Sequence, residues 1–157
     1  MHQLKSTQRL PISLEAAWDF FSSPKNLAVI TPKELNLIPT SELPEEMYPG
    51  MFIEYTVRPL FGVPVKWVTE ITHVREHEFF VDEQRLGPYQ IWHHQHHFKS
   101  IPGGVEMLDI VDYRLPLGPL GIFMQKIMVG KKVEEIFEFR TKRLEELFGK
   151  FVRERVS

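Results

Sequence analysis

The chain has 157 residues, 43% of them hydrophobic and 25% charged, with a formal net charge of −2 and no cysteine. That length suits one domain, residues 1–157, able to bury a real core, and the charge balance offers no basic field for nucleic acid. The absence of cysteine excludes a disulfide framework, a thiolate zinc site and a cysteine nucleophile.

Residues 2–10 alternate apolar and polar and predict a first strand. Ser13 is placed to cap a helix through L-E-A-A-W-D-F-F, with Ala16 at the third helical position. Pro24 ends that run and opens a second short helix, bracketed by Pro32. Residues 35–42 read as a strand, and 43–50 as a loop closing on a Pro49-Gly50 turn. From Met51 the pattern is a meander. M-F-I-E-Y-T-V-R-P-L and V-P-V-K-W-V-T-E-I-T-H-V form a hairpin through F-G-V-P, and E-F-F-V-D-E-Q-R-L follows a polar turn at 75–77. Gly87-Pro88 leads into a histidine-rich strand, Pro102-Gly103-Gly104 turns it, and V-E-M-L-D-I-V-D-Y-R-L is the last strand before Pro116. Residues 119–151 predict a long helix. Val133, Ile136, Phe137, Arg140, Leu144, Leu147, Phe148 and Phe151 form its apolar stripe, and Gly130 lies within it.

This order, one strand, two short helices, about six strands and a long helix, predicts an α+β fold. An antiparallel sheet of this kind must bury one face, and the terminal helix is the only element large enough to cover it. The first residues carry no apolar leader, and no run approaches membrane-spanning length. A cytoplasmic location without stable membrane insertion is therefore expected.

The histidine-rich strand reads I-W-H-H-Q-H-H-F, with four of the seven histidines in five residues. Side chains on a strand alternate between faces, so Trp92, His94, His96 and Phe98 share one face and His93, Gln95 and His97 the other. Bulky rings prefer the buried side, which turns His94 and His96 inward and leaves His93 and His97 to solvent.

The segment from Asp82 onward resembles a signature of the START/polyketide-cyclase-like (SRPBCC) superfamily, of the type D-x-Q-x-x-G-P-[FY]-x-x-W-x-H-x-H-x-F followed by D-x-V-x-Y-x-[LV]-P. Asp82, Gln84, Gly87, Pro88, Tyr89, Trp92, His94, His96 and Phe98 carry its first part. Asp109, Val111, Tyr113, Leu115 and Pro116 carry the second. Gly118 and the I-F-x-x-R motif (Ile136, Phe137, Arg140) also fit. The resemblance implies a helix-grip fold: a curved antiparallel sheet of about seven strands around a C-terminal helix, with an apolar cavity between. Some bacterial members with this signature are associated with nucleotide-sugar-epimerase-like domains.

On this basis the expected role is binding of a hydrophobic or amphipathic small molecule, such as a lipid, a polyketide-like or an aromatic compound. The candidate contacts are Trp92, His94, His96, Phe98, Gln84, Tyr113, Trp67, Phe123, Phe137 and Arg140. Phe52, Tyr55, Phe79 and Phe80 are further candidate pocket aromatics, and loops 43–50 and 115–121 are candidate frames for an entrance. Arg140 is expected to pair with a carboxylate of the sheet. One alternative is a cyclase, dehydratase or hydrolase using His94 or His96 as acid/base, oriented by Asp82 or Asp109. Another is a protein-interaction module with a collapsed cavity, and an exposed Met/Phe face would serve a homodimer. Asp82, Asp109 and His73 are candidate third ligands to a metal on His94 and His96. The histidine run itself shows only two ligands, so it reads as a hydrogen-bonded pair, with no metal or other cofactor expected.

Overall fold

The computed structural model describes residues 1–58, 62–116 and 129–152. Seven strands form one antiparallel sheet: β1 (His2–Leu10), β2 (Ile38–Pro39), β3 (Met51–Val57), β4 (Val65–Arg75), β5 (Phe79–Leu86), β6 (Ile91–Ile101) and β7 (Gly104–Arg114). Their spatial order is β1-β7-β6-β5-β4-β3-β2. Strands two to seven thus form a meander, and the first strand returns to pair with the last.

Two helices cover one face: α1 (Leu14–Phe21) and the long α2 (Gly130–Phe148). Ser13 caps α1 as the sequence predicts, its hydroxyl accepting from Ala16 N–H at 3.1 Å. The second short helix forms as a 3₁₀ helix, Pro24–Ile30, followed by a single 3₁₀ turn, Lys33–Leu35. The strand expected over 35–42 shrinks to Ile38–Pro39. Leu35 belongs to the 3₁₀ turn, Asn36 adopts a left-handed φ of 46°, and Pro39 lacks an N–H for a ladder. The long helix ends at Phe148, where Gly149 takes φ +91° and donates to Glu145 O at 2.9 Å. Its predicted first part, 119–128, lies outside the described residues.

Pro102 and Gly103 take the two central positions of a tight β6–β7 turn, with φ +80° at Gly103 as a type II turn requires. This fixes the register of β6 against β7 and hence which side chains of β6 face the helices.

The interior divides into two ends. Beneath α1, Leu10, Ala17, Trp18, Phe21, Phe80, Phe98, Val105, Met107 and Leu144 pack into a continuous cluster. Toward the start of α2, Val111, Tyr113, Val129, Val133 and Phe137 form a second cluster, and Met51, Ile53, Tyr55, Val57 and Ile71 form a third on β3 and β4. Among the described residues no helix is long and apolar enough to cross a membrane.

Candidate functional site

The site is built by strand register. Antiparallel pairing sets Asp82 of β5 opposite His94 of β6, and Asp109 of β7 opposite His96. All four point to the helix-covered face, as alternation from Trp92 to Phe98 predicts. The imidazoles lie 3.7 Å apart, centroid to centroid. Hydrogen bonds run diagonally: His96 Nε2 to Asp82 Oδ2 at 2.9 Å, and His94 Nε2 to Asp109 Oδ1 at 3.0 Å. The remaining nitrogens complete a crossed square. His94 Nδ1 stands 3.5 Å from Asp82 Oδ2, and His96 Nδ1 stands 2.8 Å from Asp109 Oδ1. That last approach is close, but its angle makes no hydrogen bond, which leaves His96 Nδ1 buried and unsatisfied.

Arg140 closes the cluster from α2. Its guanidinium lies over the rings of Phe21 and Phe137, at 5.3 and 5.8 Å, and its Nη1 reaches Asp109 Oδ1 at 3.4 Å. The expected internal ion pair is therefore present. Its Nε is buried without a hydrogen-bond partner.

Two carboxylates and one guanidinium leave this cluster one charge short of neutrality, which a single proton on the imidazole pair would supply. The titration behaviour follows that logic. Burial pushes the Asp109 carboxyl up, but Arg140, His94 and His96 outweigh it and hold it well below its ordinary range. Asp82 is likewise lowered against the effect of burial, chiefly by its bond to His96. The two histidines move in opposite directions. Burial, reinforced by its neighbour's charge, lowers His94, whereas for His96 the adjoining Asp109 and Asp82 overcome burial and raise it. The same two carboxylates thus favour the charged form of His96 more than that of His94.

Beside this cluster lies a cavity of about 210 Å³. Ile53, Tyr55, Val57, Thr69 and Ile71 form its floor from β3 and β4. Phe137, Arg140, Val133 and Ile136 close it from α2, and Trp67, Tyr89 and Trp92 form an aromatic end wall. Leu27 lines it while remaining 38% exposed, which places the 3₁₀ helix Pro24–Ile30 at the opening. Met47 of the 43–50 loop also lines it. Loop 115–121 and Phe123 fall largely or wholly outside the described residues.

The sequence-derived candidates divide accordingly. Asp82, His94, His96, Trp67, Trp92, Phe137 and Arg140 border the cavity. Phe98 does not: it packs between Trp18, Phe21 and Phe80 in the filled end. Gln84 is spent on structure, its amide exchanging bonds with the Tyr89 backbone at 2.6 and 3.2 Å across the Gly87 turn. Tyr113 and Asp109 lie one layer behind, Tyr113 against Tyr89 and Trp92, and Asp109 beneath the histidines. Phe52 is exposed, and Phe79 lies against His97 in a tilted ring contact rather than entering the pocket.

His73 fails as a third metal ligand for a specific reason. The β4–β5 register slips between Ile71 and His73, so Val74 takes the inward place that strict alternation would give His73. His73 is exposed, with Nδ1 on Thr72 Oγ1 at 3.0 Å. His93 and His97 are half-buried rather than free in solvent, held by Glu83 and Gln95 at 3.0 and 3.1 Å. Pocket residues that sequence reasoning passed over include Thr69, Ile71 and Leu27. Their signal was present in the β4 alternation and in the apolar side of the Pro24–Ile30 turn.

No family model and no curated protein matches this sequence. Solved structures do match in shape. Protein Ms6760 from Mycobacterium smegmatis is 17% identical, with a TM-score of 0.67 over 92% of this chain and 89% of its own. Ara h 8.0201 is 13% identical, with a TM-score of 0.59 over 92% and 98%. The nucleoside-diphosphate sugar epimerase from Corynebacterium glutamicum is 20% identical, with a TM-score of 0.63 over 91% of this chain but 28% of the epimerase, so there the same shape is one part of a longer protein. Together with the seven-stranded sheet wrapped against α2, these likenesses establish the architecture: this is an α+β helix-grip fold.

Proposed function

We propose that this protein binds a small, largely apolar molecule in the cavity between the sheet and α2, with the molecule's polar end against Asp82, His94 and His96. The carrying observation is that an apolar void of about 210 Å³ stands beside a buried, charge-balanced polar cluster. An isolated apolar hole costs stability, and a buried ion cluster costs desolvation, so their juxtaposition favours a binding role. The volume also limits the ligand. It exceeds the ~150 Å³ that admits a benzene ring and falls short of the ~300–1,000 Å³ of drug-sized pockets. A molecule of roughly one to two rings, or a short acyl chain, fits that interval. The resemblance carried by Trp92, His94, His96 and Phe98 points the same way.

Trp67 and Trp92 border the cavity and serve as reporters. Titration with 2-naphthol or indole should quench their fluorescence saturably, and Ile71→Phe, which fills the void from the floor, should abolish the response. A linear, non-saturating response identical in both proteins would sink the reading.

One observation favours a second reading, acid–base catalysis. The imidazoles of His94 and His96 stand 3.7 Å apart at the cavity wall, each bonded to a carboxylate, so that one can donate a proton and the other accept it. Turnover of a bound ketone or hydroxy compound, lost in His94→Ala and His96→Ala with the fold intact, would establish it. Binding with no chemistry under the same conditions would leave the carrier reading alone.

A further inference from the structure

The crossed square of carboxylates and imidazoles leaves one ring nitrogen, His96 Nδ1, without a hydrogen bond. Asp82, His94 and His96 each present one donor atom, and these atoms all lie within 4.8 Å of one another. Two of the three separations are 3.5 Å, His94 Nδ1 to Asp82 Oδ2, and 2.9 Å, His96 Nε2 to Asp82 Oδ2. An ion ~2.0–2.2 Å from each donor spans separations up to about 4.4 Å, so two edges already suit it, and the third lies within 4.8 Å. We infer that Asp82, His94 and His96 form a binding site for one divalent transition ion of the zinc or iron(II) kind, opening onto the cavity.

The groups behind these three argue for coordination. A metal-bound histidine almost always donates its other ring N–H to a carboxylate or carbonyl, which fixes the tautomer and the ring plane. Here the nitrogen of each imidazole that turns away from Asp82 meets the same oxygen, Asp109 Oδ1, at 3.0 Å from His94 Nε2 and 2.8 Å from His96 Nδ1. Arg140 Nη1 approaches that oxygen at 3.4 Å, so Asp109 can serve both rings without remaining an uncompensated charge. The orphaned Nδ1 of His96 also gains an explanation. With Nε2 on an ion, the ring's proton must sit on Nδ1, facing Asp109, and a small ring rotation makes the missing hydrogen bond.

Donor chemistry narrows the ion. Two imidazoles and a single carboxylate suit zinc or ferrous iron, whereas magnesium and calcium favour all-oxygen sites. Charge narrows what completes the coordination. Asp82, Asp109 and Arg140 together carry one negative charge, and a divalent ion turns that into one positive charge in a buried site. A hydroxide or an anionic oxygen of the cavity ligand, such as a carboxylate or phenolate, restores neutrality. The site itself does not depend on the carrier reading, because the ion can be assayed with the cavity empty.

The test uses tag-free, chelator-treated protein titrated with Co²⁺ as a spectroscopic stand-in, then with Zn²⁺ and with Fe²⁺ under anaerobic conditions. The expected result is one equivalent bound, with visible d–d bands and an X-ray absorption signature of two imidazoles on the ion. Asp82→Ala and His96→Ala should abolish stoichiometric binding, and Asp109→Asn should weaken it about 10–100-fold. His93→Ala and His97→Ala should leave it unchanged. Absence of one-equivalent binding by the wild-type protein would overturn the inference. So would a bound ion with fewer than two imidazoles, a reading that needs no variant to fold. Binding that survives Asp82→Ala combined with His96→Ala, or that disappears in His93→Ala, would assign the ion elsewhere and overturn it equally.

Discussion

The two ends of the sheet–helix interior are built from the same elements and finished differently. On β6, Phe98 packs among Trp18, Phe21 and Phe80, while two and four residues earlier His96 and His94 face a void. On α2, Leu144 is wholly buried in the filled end, and Arg140, one turn before it, is committed to Asp109. The filled end is what burial of apolar area favours. The other end keeps both a cavity and buried charge, two features that oppose stability unless something fills or neutralises them. The contrast separates a part of the core that holds the fold from a part that holds the site.

The largest break in this contrast should come from Arg140. Arg140→Met strands Asp109 beneath the histidines and should cost about 3–5 kcal/mol in urea denaturation. Adding Asp109→Asn to that variant should restore much of the loss, because the uncompensated charge is gone. A single-variant cost under about 1 kcal/mol would mean that Asp109 is solvated in a way its burial does not suggest.

Next in size is a pair of enlargements. Val105→Phe intrudes on the filled end and should cost about 1–3 kcal/mol or more. Ile71→Phe grows into the cavity and should cost less than about 1 kcal/mol, since the new ring meets space rather than side chains. Equal melting-temperature losses for the two variants would erase the distinction between the ends.

The smallest effect is in pH dependence, measured on chelator-treated protein. His96 is raised in the fold, so its contribution is fully present below the ordinary value of about 6.5 and fades as pH rises through its folded value. His94 is lowered, so its contribution is present above about 6.5 and is lost as pH falls. Asp82 and Asp109, both lowered, add a further loss toward acid. Stability should therefore peak near neutrality on the slightly acid side, and His96→Gln should flatten the alkaline limb specifically. A wild-type profile still rising at pH 9 would contradict the upward shift of His96.

Much of the frame was legible in the sequence because it rests on period and punctuation. The alternation through Trp92, His94, His96 and Phe98 gives the inward face, Pro102-Gly103 gives the turn, and Arg140 on an apolar stripe implies a buried partner. What escaped depends on the third dimension. The slip after Ile71 turns His73 outward, and no local signal in T-H-V announces it. Phe98 and Trp92 are equivalent by alternation, yet α1 covers one and leaves the other at the void. Gln84 sits within the signature as though it met a ligand, but its amide is consumed by Tyr89. Residues 35–42 carry strand-like composition, and Asn36 and Pro39 divide them.

The place of β1 has a consequence for the birth of the protein. Its nine residues pair along their whole length with β7, from His2 opposite Tyr113 to Leu10 opposite Val105. During synthesis the first strand emerges with no sheet to join, and more than a hundred residues must follow before its partner exists. Such long-range closure is slow relative to local hairpins. The β3–β7 meander can assemble by neighbour pairing, with His94, His96, Asp82 and Asp109 brought together before β1 docks. Gly104 then acts as the latch. Its α-carbon packs so tightly on Leu10 that a Cβ there would come within 2.1 Å of the Leu10 carbonyl oxygen. Any larger residue at 104 should leave β1 as a loose, sticky edge beside β7.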